Sequence, residues 1–167
     1  MPLADRTITE RLQPSLLDRL TDDAPGESRE GQSGRMIDLD RLRDIVRRDL
    51  AWLLNTGSLD AEIDAERHPH AAASTVNFGL RDVSGTFTTT ERAAAIRRAI
   101  REAIERFEPR LRPGTLNVDL SGRPAGDDAL IAFDIRGEMW AQPLPMELYL
   151  RSEVDVTTGH VDLQRAE

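Results

Sequence analysis

A chain of 167 residues, 31% charged and 39% hydrophobic, is long enough for one domain with a real core, and no run approaches the ~20 apolar residues of a membrane span. The formal net charge of −8 argues against general affinity for nucleic acid or anionic lipid, both of which need a basic footprint. Cysteine is absent, which excludes disulfides and thiolate metal sites, and all 22 basic residues are Arg, a side chain suited to planar two-point contacts and interfaces.

Residues 1–21 form a polar leader with one apolar knot. The first residues carry acids and no apolar h-region, so no secretory signal is expected and the cytoplasm is the expected location. Pro14 sits where a first helical turn tolerates it, and Leu12, Leu16, Leu17 and Leu20 can share a face. A helix this short needs tertiary packing, so it either docks on the domain or binds a partner in trans; the second is expected. Residues 22–35, rich in Gly, Ser, Pro and charge, are a flexible linker. The division expected is therefore a leader and linker over 1–35 and a folded domain over 36–167.

From Asp38 to Asn55 the apolar residues Leu39, Leu42, Ile45, Val46, Leu50, Leu53 and Leu54 recur at helical spacing. Asp38 or Asp40 can cap this helix, and Asn55-Thr56-Gly57 stops it. Trp52 near its end packs in the core or at the rim, or else stands out as an interface anchor. A short helix is expected around 60–66, interrupted by Pro69, and a further turn over Ala71–Val76 ends at Asn77-Phe78-Gly79, where Gly79 supplies positive φ. Thr88 and Glu91 can form a capping box for a helix running to Phe107. Its buried face is Ala93, Ile96, Ile100, Ala103, Ile104 and Phe107, and its charged face carries a Glu102–Arg106 pair at i,i+4 spacing.

After Pro113-Gly114 the period changes to two. Leu116, Val118 and Leu120 alternate with polar residues, then Ile131, Phe133 and Ile135, then Met146, Leu148 and Leu150 on to Val154 and Val156. Gly137 and two prolines end or bulge the second strand, and after the Thr-Thr-Gly-His turn Val161 and Leu163 suit a short fourth strand. The fold class expected is α+β: an antiparallel three- to four-stranded sheet, one face covered by the two long helices, with a flexible N-terminal leader.

Little here suggests catalysis. No glycine-rich phosphate loop is present, and no serine sits in a nucleophile elbow with a histidine to serve it. His68, His70 and His160 lack the spacing and partners of a zinc site, so no metal or cofactor is expected. Glu108, Glu138 and Asp134 are conceivable acids for glycoside hydrolysis, though a chain with 30 acidic residues offers such pairs by chance. Glu108-Pro109-Arg110 is the most specific cluster. Pro109 ends the helix and Arg110 suits its negative end, whereas Glu108 is unfavourable there unless paired. The residues leave two readings open, a structural clamp and an interaction site.

Five blocks in order, RLQPSLLDRL, RDLAWLLNT, TVNFGLRDVSG, IERFEPRL and GEMWAQPLPMELYLRSEVDVTTG, together resemble the type VI secretion baseplate subunit family TssE. That family is related to the small wedge protein of contractile phage tails. The resemblance covers nearly the whole chain apart from residues 22–35. It implies a structural role beneath the contractile sheath, with other baseplate wedge subunits and sheath subunits as partners and a sheet to which a sheath strand is added. It also implies that Glu108, Pro109 and Arg110 contact wedge partners; Pro14, Leu16 and Leu17 are the candidates in the leader. No small-molecule substrate, nucleic acid or direct membrane insertion is expected. The "lysozyme-like" label of the phage relatives gives the alternative, a glycoside hydrolase using Glu108 and a second carboxylate. It is not favoured, because the residues define no acid pair.

Overall fold

The computed structural model describes residues 15–21, 26, 39–82, 89–122, 129–140 and 146–166. Pro14, most of the 22–35 linker, the expected 35/36 boundary, Asp38 and Thr88 with its capping box lie outside them. The chain divides into two units, Met1–Val46 and Arg47–Glu167.

In the first unit, helix α1 spans Leu16–Leu20. Ser15 caps it, its hydroxyl oxygen accepting from the Asp18 N–H at 3.4 Å. None of its residues is buried: Leu16, Leu17 and Leu20 are 71%, 49% and 75% exposed. Helix α2 spans Leu39–Leu54 and crosses the boundary between the units. Its first turn carries an Asp40–Arg43 ion pair at 3.1 Å.

In the second unit, Leu50, Leu53 and Leu54 of α2 are buried. The helix stops where the Asn55 amide and the Thr56 hydroxyl donate back to the Ala51 and Trp52 carbonyls, both at 2.8 Å. The following loop closes on itself: Ser58 N–H donates to Leu80 O and Leu80 N–H to Thr56 O. Gly79 has φ +139°, and a Cβ there would lie 2.4 Å from Thr56 O, so no other residue fits. Asn77 is fully buried and fully used. Its carbonyl accepts from Leu59 N–H at 2.9 Å, and its NH2 donates to Asp60 at 2.6 Å and to Ala72 O at 2.9 Å.

Residues 60–67 form turns rather than a helix, and Pro69 opens helix α3, Pro69–Ala72, instead of interrupting one. Its missing N–H costs nothing in a first turn. A 3-10 turn follows at Thr75–Asn77. Helix α4 spans Thr89–Phe107 and buries Ala93, Ile96, Ala99, Ile100, Ala103 and Ile104, with Phe107 half-buried. The expected Glu102–Arg106 pair is replaced. Arg101 meets Glu105 at 3.1 Å, and Arg106 turns to the Ala72 carbonyl at 3.3 Å and to Asp60 at 4.0 Å. A long side chain prefers an acceptor across the fold to a solvated neighbour worth a few tenths of a kcal/mol.

Four strands follow as a meander: β1 Asn117–Leu120, β2 Leu130–Met139, β3 Met146–Asp155 and β4 Val161–Arg165, in the order β1-β2-β3-β4 and all antiparallel. The register is regular, with Val118 opposite Ile135, Ile135 opposite Leu150, and Val154 opposite Val161. One face is therefore apolar, with Phe133, Ile135, Leu148, Leu150, Val154 and Leu163 buried. β2 runs through Gly137 without a bulge and ends at Met139. α4 packs on β1, while Arg47 and Asn55 tie the end of α2 to β4. The fold is the α+β arrangement read from the pattern, and among the described residues only α2 and α4 are long helices.

Candidate functional site

Where α4 ends, Glu108 N–H makes a last helical bond to Ile104 O at 2.9 Å, and Pro109 stops the ladder. The chain then bends onto the end of β2. Leu111 bridges Met139, Arg112 N–H donates to Glu138 O, and Trp140 N–H donates to Arg110 O. Within this bend the Glu108 side chain is only 4% exposed. Its carboxylate accepts from Arg110 three times: from the backbone N–H at 3.0 Å, from Nε at 2.7 Å and from Nη2 at 2.5 Å. This is the two-point fork that a guanidinium makes with a carboxylate. Arg110 Nη2 also donates to Asp49 of α2 at 2.8 Å, and Arg48 holds the other Asp49 oxygen at 2.6 and 2.9 Å. Four charges thus alternate, Arg48–Asp49–Arg110–Glu108, and cancel. Burial works against the Arg110 cation, but the bonds and charge of Glu108, and then of Asp49, outweigh it and raise its pKa above the ordinary value.

The sequence cluster is therefore one bonded unit, and the clamp accounts for the acid at the helix end. Glu108 has its oxygens committed within the chain. Pro109 is exposed and Arg110 is 28% exposed, so these two are what a neighbour can reach. Arg48 and Asp49 belong to the same unit and were not foreseen; the only signal was an acid on the flank of an amphipathic helix. Leu16 and Leu17 are exposed, and Pro14 lies outside the described residues.

The conceivable second carboxylates also face arginines. Glu138 meets Arg112 at 2.8 Å, with that guanidinium 5.5 Å over the exposed Trp140 ring, and Asp134 lies 3.5 Å from Arg151. Each of these two meets a single guanidinium nitrogen, without the two-point fork that holds Glu108. The three histidines are exposed, and no group of three or more metal-ligating side chains occurs among the described residues.

Next to the clamp runs a row of aromatic rings. Trp52 is 62% exposed, so it is not a core residue; it stands edge-on to Phe78 at 6.2 Å, and Phe78 stands edge-on to Phe107 at 5.4 Å. Trp52 lies one helical turn beyond Asp49, and Phe107 immediately precedes Glu108.

The two margins of the sheet differ. On β4, antiparallel alternation points the backbone groups of Val161 and Leu163 outward. The Asn55 amide takes both at Val161, donating to its carbonyl at 2.8 Å and accepting its N–H at 3.0 Å, and Arg47 donates to Leu163 O at 3.4 Å. On β1 the outward groups belong to Val118 and Leu120, since Ser121 bonds inward to Ala132. Arg101 holds the Leu116 carbonyl at 3.3 Å, just before the strand.

Among the described residues, an antiparallel meander, two long helices and a charge-locked corner where α4 meets β2 define an α+β protein. The baseplate wedge protein gp25 family matches residues 40–144, and the chain belongs to that family, whose homologue in type VI secretion is TssE. The corner and the aromatic row lie inside the matched span. No curated protein and no solved structure matches the chain. Family membership gives it a structural role in a baseplate among other baseplate proteins. No helix among the described residues is long and apolar enough to cross a membrane.

Proposed function

We propose that this chain is the TssE-type wedge subunit of a contractile type VI secretion apparatus, acting in the cytoplasm without catalysis. Its family match over residues 40–144 carries the reading. In it, Pro109 and Arg110 present a rigid corner to the other wedge subunits, with Glu108 as the buried post that holds Arg110 still. The sheet receives a strand from the first sheath ring and so nucleates sheath assembly. The leader, through Pro14, Leu16 and Leu17, grips a partner in trans; the exposure of Leu16, Leu17 and Leu20 supports this.

The test is the paired variant Glu108→Met with Arg110→Leu, which removes the corner's charge without stranding a buried ion. Placed in a cell that makes the apparatus, it should fold but fail to co-purify with wedge subunits. Deleting residues 1–21 should leave the melting temperature unchanged and impair assembly. Normal assembly by the paired variant would sink the corner's role, and release of muropeptides by purified protein would replace the structural reading with the hydrolase.

A further inference from the structure

The two tryptophans of the chain, Trp52 and Trp140, are 62% and 61% exposed, and both are tied to the Glu108–Arg110 bend. Trp140 N–H donates to the Arg110 carbonyl at 2.8 Å. Trp52 follows Asp49 by three positions on the same side of α2, and Asp49 accepts from Arg110 Nη2 at 2.8 Å. Neither ring is loose. Phe78 braces Trp52 edge-on at 6.2 Å and stands in turn on Phe107, the residue before Glu108. The Arg112 guanidinium lies 5.5 Å over the Trp140 ring and is itself held by Glu138 at 2.8 Å. Two large, wet, positioned rings thus adjoin one corner, and Trp and Arg are residue types on which contact energy concentrates.

The charges of this surface select against a charged partner. The cations Arg48, Arg110 and Arg112 face the anions Asp49, Glu108 and Glu138, and Arg106 beside Phe107 is matched by Asp60 at 4.0 Å. A carboxylate approaching Arg110 meets Glu108 and Asp49, and a cation meets guanidinium groups. The indole N–H of each Trp and Nη1 of Arg110 make no hydrogen bond among the described residues, whereas the three carboxylates are already held by guanidinium groups. The surface therefore suits apolar groups and neutral acceptors. Proline supplies both at once: its ring packs on aromatic faces, its carbonyl accepts, and it has no N–H to leave unpaired.

We infer that Trp52, Trp140 and Arg110 form a docking surface for a proline-rich, extended segment of a neighbouring protein. The inference rests on the corner-contact reading above and names the chemistry of what docks there. The proline rings lie on the two indoles, and the indole and Arg110 N–H groups donate to the carbonyls between them. Such a segment is already stiff in solution, so ordering it costs little. The matched charges make the contact nearly indifferent to salt.

The probe is a capped oligoproline about ten residues long, titrated into the full chain by calorimetry beside a Gly/Ser peptide of equal length and two oligoprolines in which every third residue is Glu or Arg. The oligoproline should bind about tenfold or more tighter than the Gly/Ser peptide, and neither charged version should bind tighter than it does. Trp52→Ala and Trp140→Ala should each weaken binding about tenfold while leaving the circular dichroism spectrum and melting temperature unchanged, because both rings are mostly in solvent. No binding of the oligoproline, equal affinity for the Gly/Ser peptide, a preference for either charged peptide, or binding untouched by both substitutions would each overturn the inference. In cells, the Trp52→Ala, Trp140→Ala double variant should fold and fail to co-purify with wedge subunits. Co-purification of this variant alongside failure of the paired corner variant would overturn the tryptophan surface and leave the corner reading standing; co-purification of both would overturn the two together.

Discussion

Replacing Arg110 by Ala strands a buried charge. Glu108, 4% exposed on its side chain, would lose the Nε and Nη2 bonds and keep only the backbone N–H at 3.0 Å. Asp49 fares better, because Arg48 still holds it. Removing one partner of a buried pair costs roughly 3–5 kcal/mol, and the 28% exposure of Arg110 lets water reach part of the gap, so about 3 kcal/mol is expected. For a domain of this size that is a fall of roughly 12 °C in melting temperature. The paired variant Glu108→Met with Arg110→Leu removes both charges and should melt within roughly 4 °C of the parent, about 1 kcal/mol. Thermal and urea melts by circular dichroism at neutral pH measure all three proteins. If Arg110→Ala melts within a few degrees of the parent, or if the paired variant is as unstable as the single one, Glu108 does not depend on the guanidinium and the clamp argument fails.

Gly79→Ala should be far worse than Gly114→Ala. Both glycines have positive φ, but an added Cβ meets Thr56 O at 2.4 Å in the first case and open space in the second. Urea unfolding should show losses of roughly 3 kcal/mol and about 1 kcal/mol respectively, and similar losses would refute the steric argument. In the β3–β4 turn, the Thr158 hydroxyl and then the Thr157 N–H hold the Asp155 carboxyl below its ordinary value of 3.8. A depressed folded value means that its stabilisation is present above the ordinary value and is lost as pH falls through the lower, folded one. Asp155→Asn should therefore flatten the urea midpoint against pH below about pH 4; an unchanged slope would count against the turn's role.

The alternation that marks Val118, Phe133, Ile135, Leu148 and Leu150 is enforced by the pleat, so the strands and their buried side were legible before any coordinates. So was the oddity of Glu108, since an acid at a helix end needs a cation and Arg110 was two residues away. Asp49 was not legible, because its bond to Arg110 spans 61 positions and nothing local announces it. Trp52 was ambiguous for a related reason. Helical spacing places it on the edge of the apolar stripe, and only the positions of Phe78 and Phe107 decide how much of it stays wet. Pro69 was misjudged as a breaker because its effect depends on whether a helix already runs through it. The closure of the β4 margin by Asn55 was equally hidden, for an asparagine after a helix reads as a stop signal and nothing more.

The Asn55–Val161 joint links positions 106 apart in the chain. Each strand of the meander can find its neighbour soon after it leaves the ribosome, but the end of α2 must wait for β4 before this joint can form. At typical synthesis rates that wait is about 5–20 s. A chain cut short before Val161 would lack both bonds of this joint and leave the Asn55 amide without its partner on the sheet.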